Sequence, residues 1–324
     1  MNRFFFIFFT FFLLRSALAT SSGDGGYAGA FLRMGFEART KALGDAFTGV
    51  PEGAVAGVYN PATLPNLATR QAILSTSFLP LDRHLNYIGF ALPIRPKAKE
   101  GSPGQPLHAG IAVGWINAGV DNIDGRDRSG NRTGSLSNAE NAFFMSFALK
   151  PSSYFSIGLS GKILYNRIPD IAEENSALTS SGFGIDIGAY SNPLPGLMLG
   201  LVLRDNMSKY SWNTDKVYER GTSTIYKFPK IVRAGMAYRI PQQWLLLVAD
   251  LETSDVQNPR YHFGAEFEYK QIGALRLGLD HDTPTFGLGL YAKLFGKQSV
   301  FNYAFMPGLE ALAPDHVVSW TFDF

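Results

Sequence analysis

Val317-Val318-Ser319-Trp320-Thr321-Phe322-Asp323-Phe324, the last eight residues, carry the reading that decides the fold. Side chains alternate across a β-strand with period two. Val318, Trp320, Phe322 and Phe324 therefore share one face, and Ser319, Thr321 and Asp323 share the other. The first face suits lipid and the second a wet interior.

The beginning of the chain agrees with its end. Arg3 precedes the apolar run Phe4 to Leu14, eleven residues counting Thr10, and the small residues Ala17-Leu18-Ala19 close the segment. This is the pattern of a secretory signal peptide cut after Ala19, with Arg15 as its one irregular feature. A membrane anchor is the alternative, but a spanning helix takes about 20 apolar residues. Removing residues 1–19 takes away Arg3 and Arg15 and no acids, which leaves 27 basic residues against 27 acidic ones. A formally neutral chain makes no case for a nucleic-acid partner, which would require a basic patch. Zero cysteines exclude disulfides, an amino-terminal lipidated cysteine and thiolate metal sites.

Charged residues make up 17% of the chain, below the roughly 25% usual in soluble domains, and no apolar run past the leader approaches 18 residues. A membrane location then requires a closed barrel, the other structure that satisfies every backbone group in lipid. From residue 70 onward the chain breaks into segments of about ten residues, the length of a tilted strand crossing a bilayer. The candidates are 70–79, 84–94, 107–118, 139–150, 153–167, 181–192, 196–205, 228–240, 242–253, 259–270, 271–281, 284–295, 297–304 and 315–324. Within them Tyr261, Phe263, Ala265, Phe267 and Tyr269 oppose His262, Gly264, Glu266 and Glu268, and Leu275, Leu277 and Leu279 oppose Arg276, Gly278 and Asp280. Glycines collect on the polar face, which suits a crowded lumen better than a solvated exterior. Tyr165, Tyr190, Tyr210, Trp212, Tyr238, Trp244, Tyr261 and Tyr269 fall near strand ends, where interfacial girdles lie. The expectation is an all-β, fourteen-stranded antiparallel transmembrane barrel over 70–324. Its short turns at 150–153, 192–196, 240–242, 270–271 and 295–297 face the periplasm, and long loops at 119–138, 167–180 and 206–227 face outward. Parity places the Pro- and Lys-rich connection 95–107 on the periplasmic side, an exception that a miscounted strand would also explain.

Residues 20–69 do not alternate. They are rich in Gly and Ala, and small residues permit an inward-folded plug; a floppy periplasmic extension is the alternative.

The aromatic carboxy-terminus after an alternating strand resembles bacterial outer-membrane barrels, whose assembly machinery reads such a strand; Trp320, Phe322 and Phe324 would carry the signal. A more specific resemblance lies in Ala38-Arg39-Thr40-Lys41-Ala42-Leu43-Gly44-Asp45-Ala46-Phe47-Thr48-Gly49-Val50, followed by Asn60-Pro61-Ala62. It continues in Ser156 to Tyr165, Phe228 to Gly235, Gly264-Ala265-Glu266 and Asn302-Tyr303-Ala304-Phe305. In order and spacing these resemble the PorV/PorQ family, within the larger group of FadL-like long-chain fatty-acid transporters, across essentially the whole mature chain. The resemblance implies a fourteen-stranded outer-membrane barrel with an amino-terminal hatch in its lumen. Gly44, Asp45, Phe47, Tyr59, Asn60, Pro61 and Ala62 would be its ligand and hatch residues. This chain departs from the family in having Tyr59 where a tryptophan is frequent and Thr63 where a glycine is, and it is shorter than typical fatty-acid transporters.

Chemistry beyond this is sparse. The carboxylate pairs Asp250/Glu252, Glu266/Glu268 and Asp280/Asp282 lie at i and i+2 and share strand faces. Paired acids can hydrolyse glycosides. With Arg204, Arg233, Arg239, Arg276, Lys162 and Lys293 on polar faces elsewhere, a lumen charge network explains them better, since unpaired buried charge is costly. That network would comprise Lys162, Asp186, Arg204, Arg233, Asp250, Glu266, Glu268, Arg276, Asp280 and Lys293. The five histidines lack metal spacing, no G-x-S-x-G elbow occurs, and Asp121 to Asp127 fails the calcium-loop pattern. The reading is therefore a non-enzyme with no cofactor and no metal, in the outer membrane. Its expected partners are outer-membrane lipids, the barrel-assembly machinery, and either small apolar ligands passing through a FadL-like channel or, for a PorV-like accessory, a secretion-system protein.

Overall fold

The computed structural model describes residues 26–97, 107–127, 129–172, 176–215, 220–294, 296–308 and 312–324. The signal-peptide reading of residues 1–19 lies outside them.

Among the described residues four short helical pieces come first: a 3-10 turn at Ala30–Leu32, α1 at Ala38–Ala42, α2 at Ala56–Tyr59 and a 3-10 segment at Pro61–Asn66. Sixteen strands follow. They are β1 (Gln71–Leu79), β2 (Arg83–Ile94), β3 (His108–Arg126), β4 (Arg132–Ser152), β5 (Phe155–Ala172), β6 (Ser176–Leu194), β7 (Leu197–Asn206), β8 (Lys209–Asn213), β9 (Ser223–Lys227), β10 (Ile231–Arg239), β11 (Leu245–Ser254), β12 (Arg260–Tyr269), β13 (Gly273–Asp280), β14 (Thr283–Leu294), β15 (Lys297–Met306) and β16 (Asp315–Asp323). Every pairing is antiparallel. β1 pairs with both β2 and β16, β5 with β6, and β7 with β10, so fourteen strands close into a ring from which only β8 and β9 are left out. Closure pairs every strand of the ring on both sides and leaves no edge to satisfy in lipid.

The sequence alternation maps onto this ring. Leu275, Leu277, Leu288, Leu290, Phe267 and Phe301 are exposed on the outside, and their neighbours Glu266, Arg276 and Asn302 are buried inside. The strand count holds through the 95–107 connection, because β2 ends at Ile94 and β3 begins at His108. Three features differ from the sequence reading. The stretches expected as long loops at 119–138, 167–180 and 206–227 are largely strand: β3 to β6 run 18 to 21 residues and project past their neighbours, and 206–227 holds the β8–β9 hairpin. Tyr190, Tyr210 and Trp212 are buried rather than part of an interfacial girdle, whereas Trp244, Tyr261 and Tyr269 are exposed. Asp282 sits in the β13–β14 turn and does not share a strand face with Asp280.

β7 and β8 form one interrupted strand. A register shift near Asp205 and the break at residues 207–208 place Asp205 and Met207 at positive φ, and Asp186 Oδ1 accepts the Asp205 amide at 2.8 Å at the shift.

Candidate functional site

The glycines of the inner wall explain where residues 26–70 run. A Cβ at Gly278 would lie 2.2 Å from the Gly44 nitrogen, one at Gly264 2.6 Å from the Leu43 oxygen, and one at Gly200 2.1 Å from the Thr48 oxygen. At Gly188 it would meet Asn60 Oδ1 at 2.1 Å, at Gly158 the Ala62 nitrogen at 2.5 Å, and at Gly110 Leu64 at 2.5 Å. Glycine permits this close approach of backbone to backbone. The segment threads the lumen from the projecting-loop end, where Tyr27 donates to the Val256 carbonyl at 3.2 Å, to the short-turn end, where it enters β1. Its side chains form one buried cluster, with Phe36 4.7 Å from Tyr87, Tyr87 6.1 Å from Phe144, and Tyr59 5.7 Å from both Phe36 and Phe47.

Polar contacts fix this segment to the wall. Glu37 caps α1 by accepting the amides of Arg39 and Thr40 at 2.9 and 2.8 Å, and the Ser319 hydroxyl of β16 donates to the same carboxylate at 2.7 Å. Asp250 Oδ2 accepts the amides of Phe47 and Thr48 at 3.1 and 3.0 Å and the Thr48 hydroxyl at 2.6 Å. Asn60 caps the Pro61–Asn66 turn, accepting the Ala62 amide at 3.1 Å, and donates to the carbonyls of Thr48 and Ala189, both at 3.0 Å. Asp45, at φ 65°, accepts a hydrogen bond from the Tyr59 hydroxyl and faces Arg233 at 3.3 Å. Gly44, Asp45, Phe47, Tyr59, Asn60, Pro61 and Ala62 are all buried in this assembly.

The charges form three groups and a fourth centred on Asp280. In the first, Arg39 lies between Glu266 (2.6 Å) and Glu52 (2.7 Å), Arg276 also reaches Glu266 at 2.6 Å, and Arg239 reaches Glu52 at 2.8 Å. Burial alone would raise the Glu52 carboxyl, but Arg39 and Arg239 outweigh it and hold the group below its ordinary value. In the second, Arg233 faces Asp250 at 3.2 Å, Asp45 at 3.3 Å and Glu252 at 3.7 Å. In the third, Lys162 meets Asp186 at 2.8 Å and also Asp205. Arg204 donates to the Leu32 carbonyl at 2.9 Å, and Asp280 pairs with Lys41 at 2.9 Å and His262 at 3.0 Å. Glu268 reaches Arg239 only at 4.0 Å, and Lys293 is exposed with no ion pair among the described residues. Arg39, Lys41, Glu52 and Asp205 were not singled out from the sequence as network members. Arg39 and Lys41 stand in the quoted Ala38–Val50 run, so their partners on the wall were the missing information.

The apolar hollows lie elsewhere. One of about 810 Å³ opens on the lipid-facing wall beside Trp244, Phe267, Leu275, Leu288 and Phe301, and another of about 670 Å³ beside Phe147, Leu159, Ile187 and Leu201. A more polar one of about 450 Å³ sits at the short-turn end, where Glu52 and Arg239 meet Tyr190 and Pro193. No cluster of His, Cys, Asp and Glu suited to a metal occurs among the described residues.

No protein-family model matches the sequence, and no curated protein sequence does. Solved structures match its shape. The Pseudomonas putida toluene transporter TodX aligns over 90% of this chain and 98% of its own with a TM-score of 0.58 at 12% identity. The CymD monoaromatic hydrocarbon channel aligns over 90% and 98% with a TM-score of 0.58 at 13% identity. A Pseudomonas aeruginosa FadL homologue aligns over 89% and 98% with a TM-score of 0.57 at 12% identity. At such identities the likeness is one of architecture: this chain has the barrel fold of the FadL-type hydrocarbon channels.

Proposed function

We propose that the protein is an outer-membrane channel for small hydrophobic compounds, exported with a cleaved leader of residues 1–19, in which residues 20–69 act as a hatch and 70–324 as the barrel. The observation that carries the reading is a fourteen-stranded barrel of hydrocarbon-channel architecture whose lumen holds a continuous, aromatic-rich segment from one end to the other. Transfer of an apolar solute from water to such an aromatic interior is favourable. The hatch residues Gly44, Asp45, Phe47, Tyr59, Asn60, Pro61 and Ala62 would shift together, because Asp250 and Asn60 tie them to the wall through a few side-chain contacts.

The chain has no cysteine of its own, so a disulfide lock is clean. Thr48→Cys with Asp250→Cys replaces side chains whose oxygens are 2.6 Å apart. In proteoliposomes the oxidised pair should block uptake of a small aromatic probe, and reduction should restore it; uptake unaffected by oxidation would sink the hatch. A second reading, a PorV/PorQ-like accessory of a secretion system that conducts no solute, draws support from the close packing of the segment against the inner wall. Absence of any probe flux in the wild-type vesicles would favour it.

A further inference from the structure

The part of β3 to β6 that rises past the ring, together with β8 and β9, is an open sheet with two edges. They differ in kind. The β3 edge carries a register shift between Val120 and Ile123, Asn122 at φ 55°, and the charged residues Asp121, Asp124 and Arg126. Bulges and charges of this sort prevent another chain from pairing. The β9 edge has no register shift, and its one charged side chain is Lys227 at its end. It reads Ser223-Thr224-Ile225-Tyr226-Lys227, all five residues are exposed, Ile225 and Tyr226 by 56% and 55%, and among the described residues β9 pairs only with β8.

The pairing pattern says which groups are free. The Thr214 amide donates to the Thr222 carbonyl at 3.0 Å and the Phe228 amide to the Ser208 carbonyl at 3.0 Å, in the same register that sets Tyr210 opposite Tyr226. Hydrogen-bonded and non-bonded pairs alternate in an antiparallel ladder. Thr224 and Tyr226 therefore bond to β8, and Ser223, Ile225 and Lys227 turn their N–H and C=O groups away from it. On the outward face of the hairpin Lys209 stands directly opposite Lys227, both exposed, with no ion pair to either among the described residues. Like charges facing across two strands are destabilising until an anion joins them.

We propose that the free edge of β9 is a strand-acceptor site for an extended, acidic segment of a protein partner. That segment adds a strand through the backbone of Ser223, Ile225 and Lys227, packs an apolar side chain on Ile225, and sets a carboxylate beside Lys227 and Lys209. Main-chain hydrogen bonds supply affinity in this mode of recognition and alternate side chains supply specificity. The site is independent of whether the barrel conducts solute.

The test uses the full-length barrel in lipid nanodiscs and a labelled ten-residue peptide of Val-Thr-Glu-Thr repeats, which sets valine and glutamate in turn on one face as Ile225 and Lys227 require, read by fluorescence anisotropy. Binding should be lost in Ile225→Pro, kept in Ile123→Pro, and weakened at least tenfold in Lys209→Glu/Lys227→Glu, with heat-modifiability checking that each barrel is folded. A peptide measurement does not depend on the variants: N-methylation of one alternate set of amides should abolish binding, while methylation of the other set leaves it intact. No binding by the parent peptide, equal effects of the two methylated sets, or equal binding of a Val-Thr-Lys-Thr peptide would overturn the proposal. Self-association of the wild-type barrel that Ile225→Pro removes would assign the edge to a second copy and overturn it as well.

Discussion

Arg39, in α1 of the lumenal segment, donates from Nε and Nη2 to the two carboxylate oxygens of Glu266 on β12, at 2.7 and 2.6 Å. The fork geometry holds the segment at a fixed angle to the wall, which a lysine in place of Arg39 would not do. Glu266 is fully buried and also accepts from Arg276, so it balances two guanidinium groups.

Glu266→Gln should therefore leave two buried cations short of a partner and cost about 3 to 5 kcal/mol. Glu268, two residues along the same face, is part-exposed and 4.0 Å from Arg239, so Glu268→Gln should stay within about 1 kcal/mol. Urea unfolding of the two variants in lipid vesicles measures the contrast. Equal costs would show that the pair at Arg39 is not the anchor.

Much of this architecture was legible in the chain. Alternation in β12 to β14 identifies the faces because lipid demands apolar residues on every outward position, and the glycines of the other face told that the lumen is crowded. What packs against each glycine was not legible, since it depends on the register of residues 26–70 over several strands. The projecting parts of β3 to β6 look like loops in the sequence for a physical reason as well. Beyond the bilayer both faces meet water, so Asp124, Gly125, Gly134 and Ser135 carry no periodic signal although they form a ladder. Tyr210 and Trp212 likewise look interfacial in sequence, and only their packing in the structure, with Phe228 edge-on to Tyr210 and Tyr210 against Trp212, makes them interior.

The glycine contacts give a second contrast. Gly200→Ala would place a methyl group 2.1 Å from the Thr48 carbonyl oxygen, a backbone atom that Asn60 also holds. Overpacking of this kind costs about 1 to 3 kcal/mol, or is relieved by displacing the segment. Gly161→Ala meets only the Phe183 ring at 3.7 Å and should be near neutral. Limited proteolysis of residues 38–60 should be faster in the first variant alone; identical digestion in both would contradict the lumenal placement.

Acid should loosen the Glu52 contact in a defined direction. The Glu52 carboxyl is lowered from its ordinary 4.5 because Arg39 and Arg239 outweigh the opposing effect of burial. A depressed carboxyl contributes stability that is complete above its ordinary value and is lost as the pH falls through its folded value. The denaturation midpoint of Glu52→Gln should thus lie below that of the wild type at pH 7 and converge with it at pH values well under 4.5. A difference that persists unchanged into acid would show that Glu52 acts through packing instead of charge.

The terminal strand yields the last prediction. Phe322 lies on the outer face against Trp320, ring centroids 4.0 Å apart, and Trp320 stacks on Phe301 of β15 at 4.7 Å. Asp323 points the other way, where its Oδ1 accepts from Gln71 Nε2 at 2.6 Å and Thr69 Oγ1 at 3.0 Å as β16 closes on β1. Asp323→Asn retains an acceptor for both donors and should insert normally. Phe322→Arg places a charge on the lipid-facing wall, at a cost of about 2 to 4 kcal/mol near the bilayer midplane and less toward an interface. Deleting Phe322 to Phe324 removes the outward ring, the latch to Gln71 and the pairs Gln71–Asp323 and Ala72–Phe322 at the end of the seam, and insertion should fail. Heat-modifiability of the outer-membrane fraction reads all three variants. Comparable assembly of Phe322→Arg and Asp323→Arg, or insertion of the truncated chain, would mean that the two faces of β16 are not what separates lipid from lumen.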